Sequence, residues 1–206
     1  MPNARSFWDK AARKYAAAPI RDEESYAKTL ERVRARLAPT DRVLELGCGT
    51  GTTAMKLADT AAHITATDVS DEMIAIANEK KAAAGLVNVD FAVAGVGAAP
   101  AGRFDAVLAF NLFHLVDDMP AALAAVRERV AEGGYFISKT PCLAEKKGFL
   151  KPVIALMKWI GKAPPTVAFL TIAAVDDAIE AAGFDIVETA DLPVDFPSRF
   201  VVARRR

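Results

Sequence analysis

From residue 42 onward the chain alternates short apolar runs with longer amphipathic stretches. Residues 42–46, 64–68, 89–94, 104–110, 135–139, 185–190 and 199–203 are rich in Val, Ile, Leu, Phe and Ala and have strand length, which makes seven candidate strands. Between them, residues 71–84, 120–131 and 175–182 carry apolar side chains at helical spacing. Leu123, Val126 and Val130 share one face of the second of these, and Gly133-Gly134 is read as its stop. Strands alternating with helices predict an α/β domain with a mostly parallel sheet covered on both faces. The segment before residue 42 is different: residues 6–37 are polar and helix-prone, with Phe7, Trp8, Tyr15, Ile20 and Tyr26 as their large apolar groups.

The first strand runs into Glu45-Leu46-Gly47-Cys48-Gly49-Thr50-Gly51, three glycines in five positions with an acid two residues ahead. Such glycines allow left-handed backbone and close approach to a ligand, and the helix expected from Thr52 offers an N-terminus that favours electron-rich groups. A nucleotide-like cofactor is expected there. The dinucleotide fingerprint would need glycine where Thr52 stands, and the phosphate loop of nucleotide triphosphatases would need a lysine after Gly51. At the end of the second strand, Asp68 lies on the ligand side of an open parallel sheet, about twenty residues beyond Gly47, where ribose hydroxyls can donate to it. Ser70 is the better helix cap, with Asp71 and Glu72 in the first turn, so Asp68 is not required for capping.

E-x-G-x-G-x-G resembles the first motif of class I S-adenosylmethionine-dependent methyltransferases; the alternative is a tight strand-to-helix turn in another doubly wound fold. The resemblance implies a Rossmann-like seven-stranded sheet of order 3-2-1-4-5-7-6 with strand 7 antiparallel and helices on both faces. It also implies S-adenosylmethionine as cofactor and S-adenosylhomocysteine as product. Gly47, Gly49, Thr50 and Gly51 would lie against the methionine part, with Glu45 orienting the loop or the ammonium. Val69 and Met73 would pack on one side of the adenine, with Gly95 and Val96 opposite. Residues 94–97, Ala-Gly-Val-Gly, lack the polar side chain that many members offer to the adenine amino group. The short link to Arg103 leaves little room for a helix.

Composition narrows the reading. Lys plus Arg and Asp plus Glu number 26 each in 206 residues, a formal charge of zero, and no nucleic-acid footprint is expected. Two cysteines do not make a disulfide framework, no leader or membrane span is read, and a cytoplasmic protein is expected, peripheral at the inner membrane face as a variant. No metal ligand set is expected, and the oligomeric state is not legible.

The acceptor side rests on three segments. Residues 7–15 resemble the opening of ubiquinone/menaquinone and phosphoethanolamine methyltransferases, in which such a segment closes over the cofactor. Tyr15 is then either a lid residue or the rim of a helix packed on the sheet. After the fourth strand, Asn111-Leu112-Phe113-His114, whose Asn111 is read as a cofactor contact, lacks the [DNS]-P-P-[FY] signature of nucleobase and glutamine N-methylation. His114 either takes a proton from the acceptor, with Tyr15 as relay, or hydrogen-bonds within the loop. Residues 141–171 form an insertion in which 153–160 is read as a basic amphipathic helix, with Phe149, Trp159 and Phe169 nearby and Lys151, Lys158 and Lys162 opposite its apolar stripe. It packs on the domain, covers an apolar acceptor, or makes a peripheral membrane contact through 149–162. The expected plan is one domain over 1–206: lid 1–40, cofactor core 41–140, insertion 141–171, and last helix with strands 6 and 7 over 172–206. The function read is methyl transfer to an oxygen or nitrogen of a small or lipid-like acceptor, or, as the alternative, phospholipid N-methylation.

Overall fold

Strand β1 (Arg42–Leu46) has four buried residues in succession, Val43 to Leu46, because it lies inside a sheet covered on both faces. The computed structural model describes residues 3–145, 150–193 and 197–206. Helices α1 (Ala4–Ala17) and α2 (Glu23–Arg34) precede β1; α3 (Thr52–Leu57), β2 (His63–Asp68), α4 (Asp71–Ala84), β3 (Val89–Val93) and β4 (Phe104–Phe110) follow it. The chain continues through α5 (Met119–Arg129), β5 (Val130–Pro141), α6 (Leu150–Trp159), α7 (Ile172–Ala181), β6 (Phe184–Asp191) and β7 (Ser198–Arg205). The sheet order is β3-β2-β1-β4-β5-β7-β6, with β7 antiparallel to both neighbours, as the sequence resemblance implied.

Strand alternation divides the core. Leu44, Leu46, Val107, Phe136 and Val201 face α5 and α7 through Leu123, Val126, Val175 and Ile179. Val43, Leu108, Ile137 and Val202 face α2 and α3 through Val33, Ala54 and Leu57. Glu45 belongs to this second face by alternation and is 2% exposed, a carboxyl group in a core position.

Local sequence accounts for most boundaries. The Ser70 side chain accepts from the Met73 amide and starts α4, and Gly85 ends it at φ +64°. Asp118 caps α5 by accepting from Ala121. The expected stop at Gly133-Gly134 is corrected: α5 ends at Arg129, and both glycines lie within β5. Pairing jumps from Phe104↔Val130 to Ala106↔Tyr135, an irregularity for which Gly133 takes φ +69°, and a Cβ on Gly134 would stand 2.8 Å from the Asp105 carbonyl. Between β3 and β4 only a single 3-10 turn, Val96–Ala98, fits. The helix read over 153–160 begins three residues earlier, and Phe149 lies outside the described residues.

Candidate functional site

The glycine loop is built from backbone conformations that only glycine takes without strain: φ is +68° at Gly47, +54° at Gly49 and +74° at Gly51. The Gly49 amide donates to Asp68 Oδ2 at 3.0 Å and the Ser70 amide to Oδ1 at 3.0 Å, so Asp68 ties the loop to the start of α4. Burial raises the Asp68 pKa above the usual carboxylate range, opposed by the amides of Ser70, Gly49 and Val69. Each carboxylate oxygen keeps a further acceptor site for a hydroxyl donor.

Asp68 opens into a cavity of about 650 Å³ at the carboxyl ends of the strands, a volume suited to a nucleoside-sized ligand with an acceptor. Gly47, Gly49, Val69, Met73, Gly95, Val96, Asn111, Tyr15 and His114 all line it. Trp8 adds a wall from α1, and Leu143, Pro164 and Val167 add one from the insertion; these were not picked out as site residues from the sequence. The insertion is tied down at this wall by the Ala168 amide donating to the His114 carbonyl at 2.7 Å and by the Thr166 hydroxyl bonding Asp117.

Two loop residues, Gly51 and Thr50, lie off the larger cavity. Gly51 lines neither of the two main cavities; a Cβ there would lie 2.5 Å from Phe91 Cζ, so its glycine is required by packing against β3 and α4. The Thr50 hydroxyl accepts from Lys80 Nζ at 2.9 Å, and its residue borders the second cavity instead.

His114 is largely buried, and its Nδ1 has no hydrogen-bond partner among the described residues. Burial lowers its pKa to about 4, so the imidazole is neutral above that pH and has a lone pair to offer. Tyr15 keeps half its side chain in solvent, yet its ring edge lies 3.6 Å from where a Gly49 Cβ would be. Burial of the phenol, then the Asp68 and Glu45 charges, raise its pKa. At neutral pH it is a hydrogen-bond donor.

The second cavity, about 510 Å³, opens behind Tyr15 on the α2 face and shares Tyr15, Gly47, Gly49, Phe110 and Asn111 with the first. Glu45 borders this one and not the larger one, and its Oε2 is buried without a partner among the described residues. Burial raises its pKa to about 8, against the opposing Ala54 amide. Lys139 also borders it, a residue that sequence reasoning passed over because strand position alone does not say which residues α2 will cover.

A family model described as a methyltransferase domain matches residues 18–189. The ubiquinone biosynthesis O-methyltransferase of Xanthomonas axonopodis pv. citri is 36% identical over 115 residues, covering 54% of this chain and 48% of its own length. The protein of that name from Methylobacterium nodulans is 31% identical over 153 residues, covering 71% of this chain and 61% of its own. The chain thus spans about half to three-fifths of the length of these curated relatives. A solved complex of DhpI with SAH superposes with a TM-score of 0.74 at 27% identity, covering 98% of this chain and 94% of that one.

Proposed function

The chain belongs to the class I S-adenosylmethionine-dependent methyltransferases, and from that premise we propose that it methylates an oxygen of a small, partly apolar acceptor held in the larger cavity. One observation carries the reading: the glycine loop, Asp68 and His114 all border one cavity, whose remaining wall is largely apolar. Curated relatives named as O-methyltransferases support oxygen over nitrogen.

The residues present fit the cofactor. Gly47 and Gly49 leave room for close approach, Asp68 has acceptor capacity for ribose hydroxyls, and Val69, Met73, Gly95 and Val96 supply apolar walls for a base. When bound, S-adenosylmethionine supplies a sulfonium methyl group whose transfer leaves S-adenosylhomocysteine. The protein's contribution would be mainly positional: the walls from β4, β5 and the insertion would hold and orient an acceptor hydroxyl toward the cofactor, and such orientation can account for most of the acceleration. Neutral His114 accepts the hydroxyl proton as the new bond forms. With a pKa near 4 it is a weak base, so this is the smaller contribution. The α1 wall, through Trp8 and Tyr15, excludes water.

The test is to incubate the protein with methyl-labelled S-adenosylmethionine and cell extract, then identify the labelled product. Label on an oxygen of an organic-extractable molecule is expected, and no transfer to any fraction rejects the reading.

A second reading, N-methylation of a phospholipid at a membrane surface, is favoured by α6. Leu156 is 58% exposed and Trp159 84%, Val153 and Ile160 are also exposed, and Lys151, Lys158 and Lys162 lie along the same segment without an acidic residue from 150 to 162. No helix of the described residues is long and apolar enough to cross a membrane, so this contact would lie along the surface. Sedimentation with anionic vesicles that Trp159→Ala abolishes, together with label on a lipid nitrogen, would favour this reading over the first.

A further inference from the structure

A sulfonium carries three carbon substituents that point apart, and a protein that binds one needs space in three directions. The larger cavity accounts for two of them: a nucleoside beside Asp68, and an acceptor against Leu143, Pro164 and Val167. The third opening leads from the shared edge at Gly47, Gly49 and Asn111 into the second cavity. Resting on the methyl-transfer reading above, in which the glycine loop and Glu45 meet the amino-acid end of the cofactor, we infer that Lys139, from β5 and outside that loop, is the specificity-determining cation of this chain, pairing with the α-carboxylate across the second cavity.

The chemistry of the lining carries this. Glu45 is 2% exposed, and its Oε2 is buried without a partner, an acceptor left open toward a donor that the described residues do not supply. Lys139 projects from β5 into the same cavity, where its Nζ donates to Thr29 Oγ1 at 3.2 Å, and Thr29 in turn donates to the Ser25 carbonyl at 2.7 Å. That chain aims the ammonium and leaves it two of its three donors. The other lysine of the cavity, Lys80, is committed to Thr50 and Thr52, and Arg21 stands at the exposed rim. Asp22 is the nearby carboxylate that acts on Lys139, from outside, without a bond to it. A chamber with one inward carboxyl and one inward ammonium is complementary to a zwitterion. A partly buried ammonium whose charged form is disfavoured by desolvation gains most from a carboxylate partner.

Binding to the unmutated protein provides the first test, using calorimetry with S-adenosylhomocysteine, its decarboxylated analogue and 5′-methylthioadenosine. S-adenosylhomocysteine should bind at least tenfold more tightly than the decarboxylated analogue; equal affinity overturns the inference. Lys139→Met should then lower affinity for S-adenosylhomocysteine at least tenfold and leave that for 5′-methylthioadenosine within twofold, while Lys139→Arg restores much of the difference. Unchanged S-adenosylhomocysteine binding in Lys139→Met, or equal losses for both ligands that Lys139→Arg does not repair, overturns it as well. If the wild-type protein binds none of the three nucleosides, the cofactor reading itself is lost; the inference alone fails when 5′-methylthioadenosine binds and the carboxylate makes no difference.

Discussion

A methyl group added at Gly47 and one added at Gly51 meet different neighbours, although both residues sit in the left-handed region. At Gly51 the added Cβ would be 2.5 Å from Phe91 Cζ and 3.0 Å from Ala77 Cβ, packed groups of β3 and α4. At Gly47 it would be 2.9 Å from Leu112 Cδ1, the end of a side chain that lines the larger cavity and can rotate. Gly51→Ala should therefore destabilise the fold by about 2 kcal/mol or more, the left-handed cost plus overpacking. Its effect on ligand affinity, measured well below the unfolding transition, should be small. Gly47→Ala should show the reverse balance, with the larger loss in calorimetric S-adenosylhomocysteine affinity. Asp68→Asn removes the charge and also replaces one of the two oxygens that accept from the Gly49 and Ser70 amides with a donor nitrogen. Loss of a charge-assisted hydrogen bond to ribose should weaken S-adenosylhomocysteine by about tenfold to a hundredfold. Unchanged affinity would reject the ribose assignment.

At the scale of elements, α1 is held over α4 by a small set of contacts. Asp9 accepts from the Ser70 hydroxyl at 2.6 Å and from the Glu72 amide at 3.3 Å, Arg5 pairs with Asp71, and Ala12 and Trp8 pack on Met73 and Ile76. The Arg5–Asp71 pair is half exposed at both ends and worth little, so Asp9 is the main polar tether. Because Trp8 and Tyr15 on α1 wall the larger cavity, Asp9→Ala should raise amide exchange across α1 and speed S-adenosylhomocysteine release by about twofold to tenfold, with stability of the sheet unchanged. Stopped-flow displacement and hydrogen exchange measure the two effects; release that is unchanged while exchange rises would separate the helix from ligand exit. This tether was only half legible. The resemblance of residues 7–15 to a closing segment implied a lid, with a helix packed on the sheet as the alternative, but nothing in the spacing of Asp9 foretells that it reaches across to Ser70. The strands were legible because each is a short apolar run bounded by breakers. The glycines at 133 and 134 misled for the same reason: as a pair they look like a helix stop, and only the pairing of β5 with β4 shows that they let the two backbones approach. Of the candidate site, the parts on consecutive sequence, the loop and the ends of β2 and β4, could be read directly. The second cavity could not, since it exists only where α2, the end of α1 and the 18–21 connection fold back over β1 and β5.

For the whole molecule, two buried groups set opposite pH dependences. His114 has a folded pKa of about 4 against an ordinary 6.5, so between these values the unfolded chain takes up a proton that the fold refuses, and stability rises with pH across that window. Glu45 has a folded pKa of about 8 against 4.5, so from 4.5 to 8 the fold retains a proton that the unfolded chain has released, and stability falls as pH rises. The two slopes largely cancel between about 4.5 and 6.5, and the Glu45 slope stands alone from about 6.5 to 8. Urea midpoints should therefore decline over that upper interval in the wild-type protein and stay level in Glu45→Gln, which keeps a neutral group of the same shape. The same proton links stability to the second cavity. An α-ammonium placed at Glu45 favours the carboxylate form, so S-adenosylhomocysteine binding at pH 7 should release a proton, whereas 5′-methylthioadenosine, without the ammonium, should release none. Calorimetry repeated in buffers of different ionisation enthalpy measures that difference directly, and equal proton release for the two ligands would place the ammonium away from Glu45.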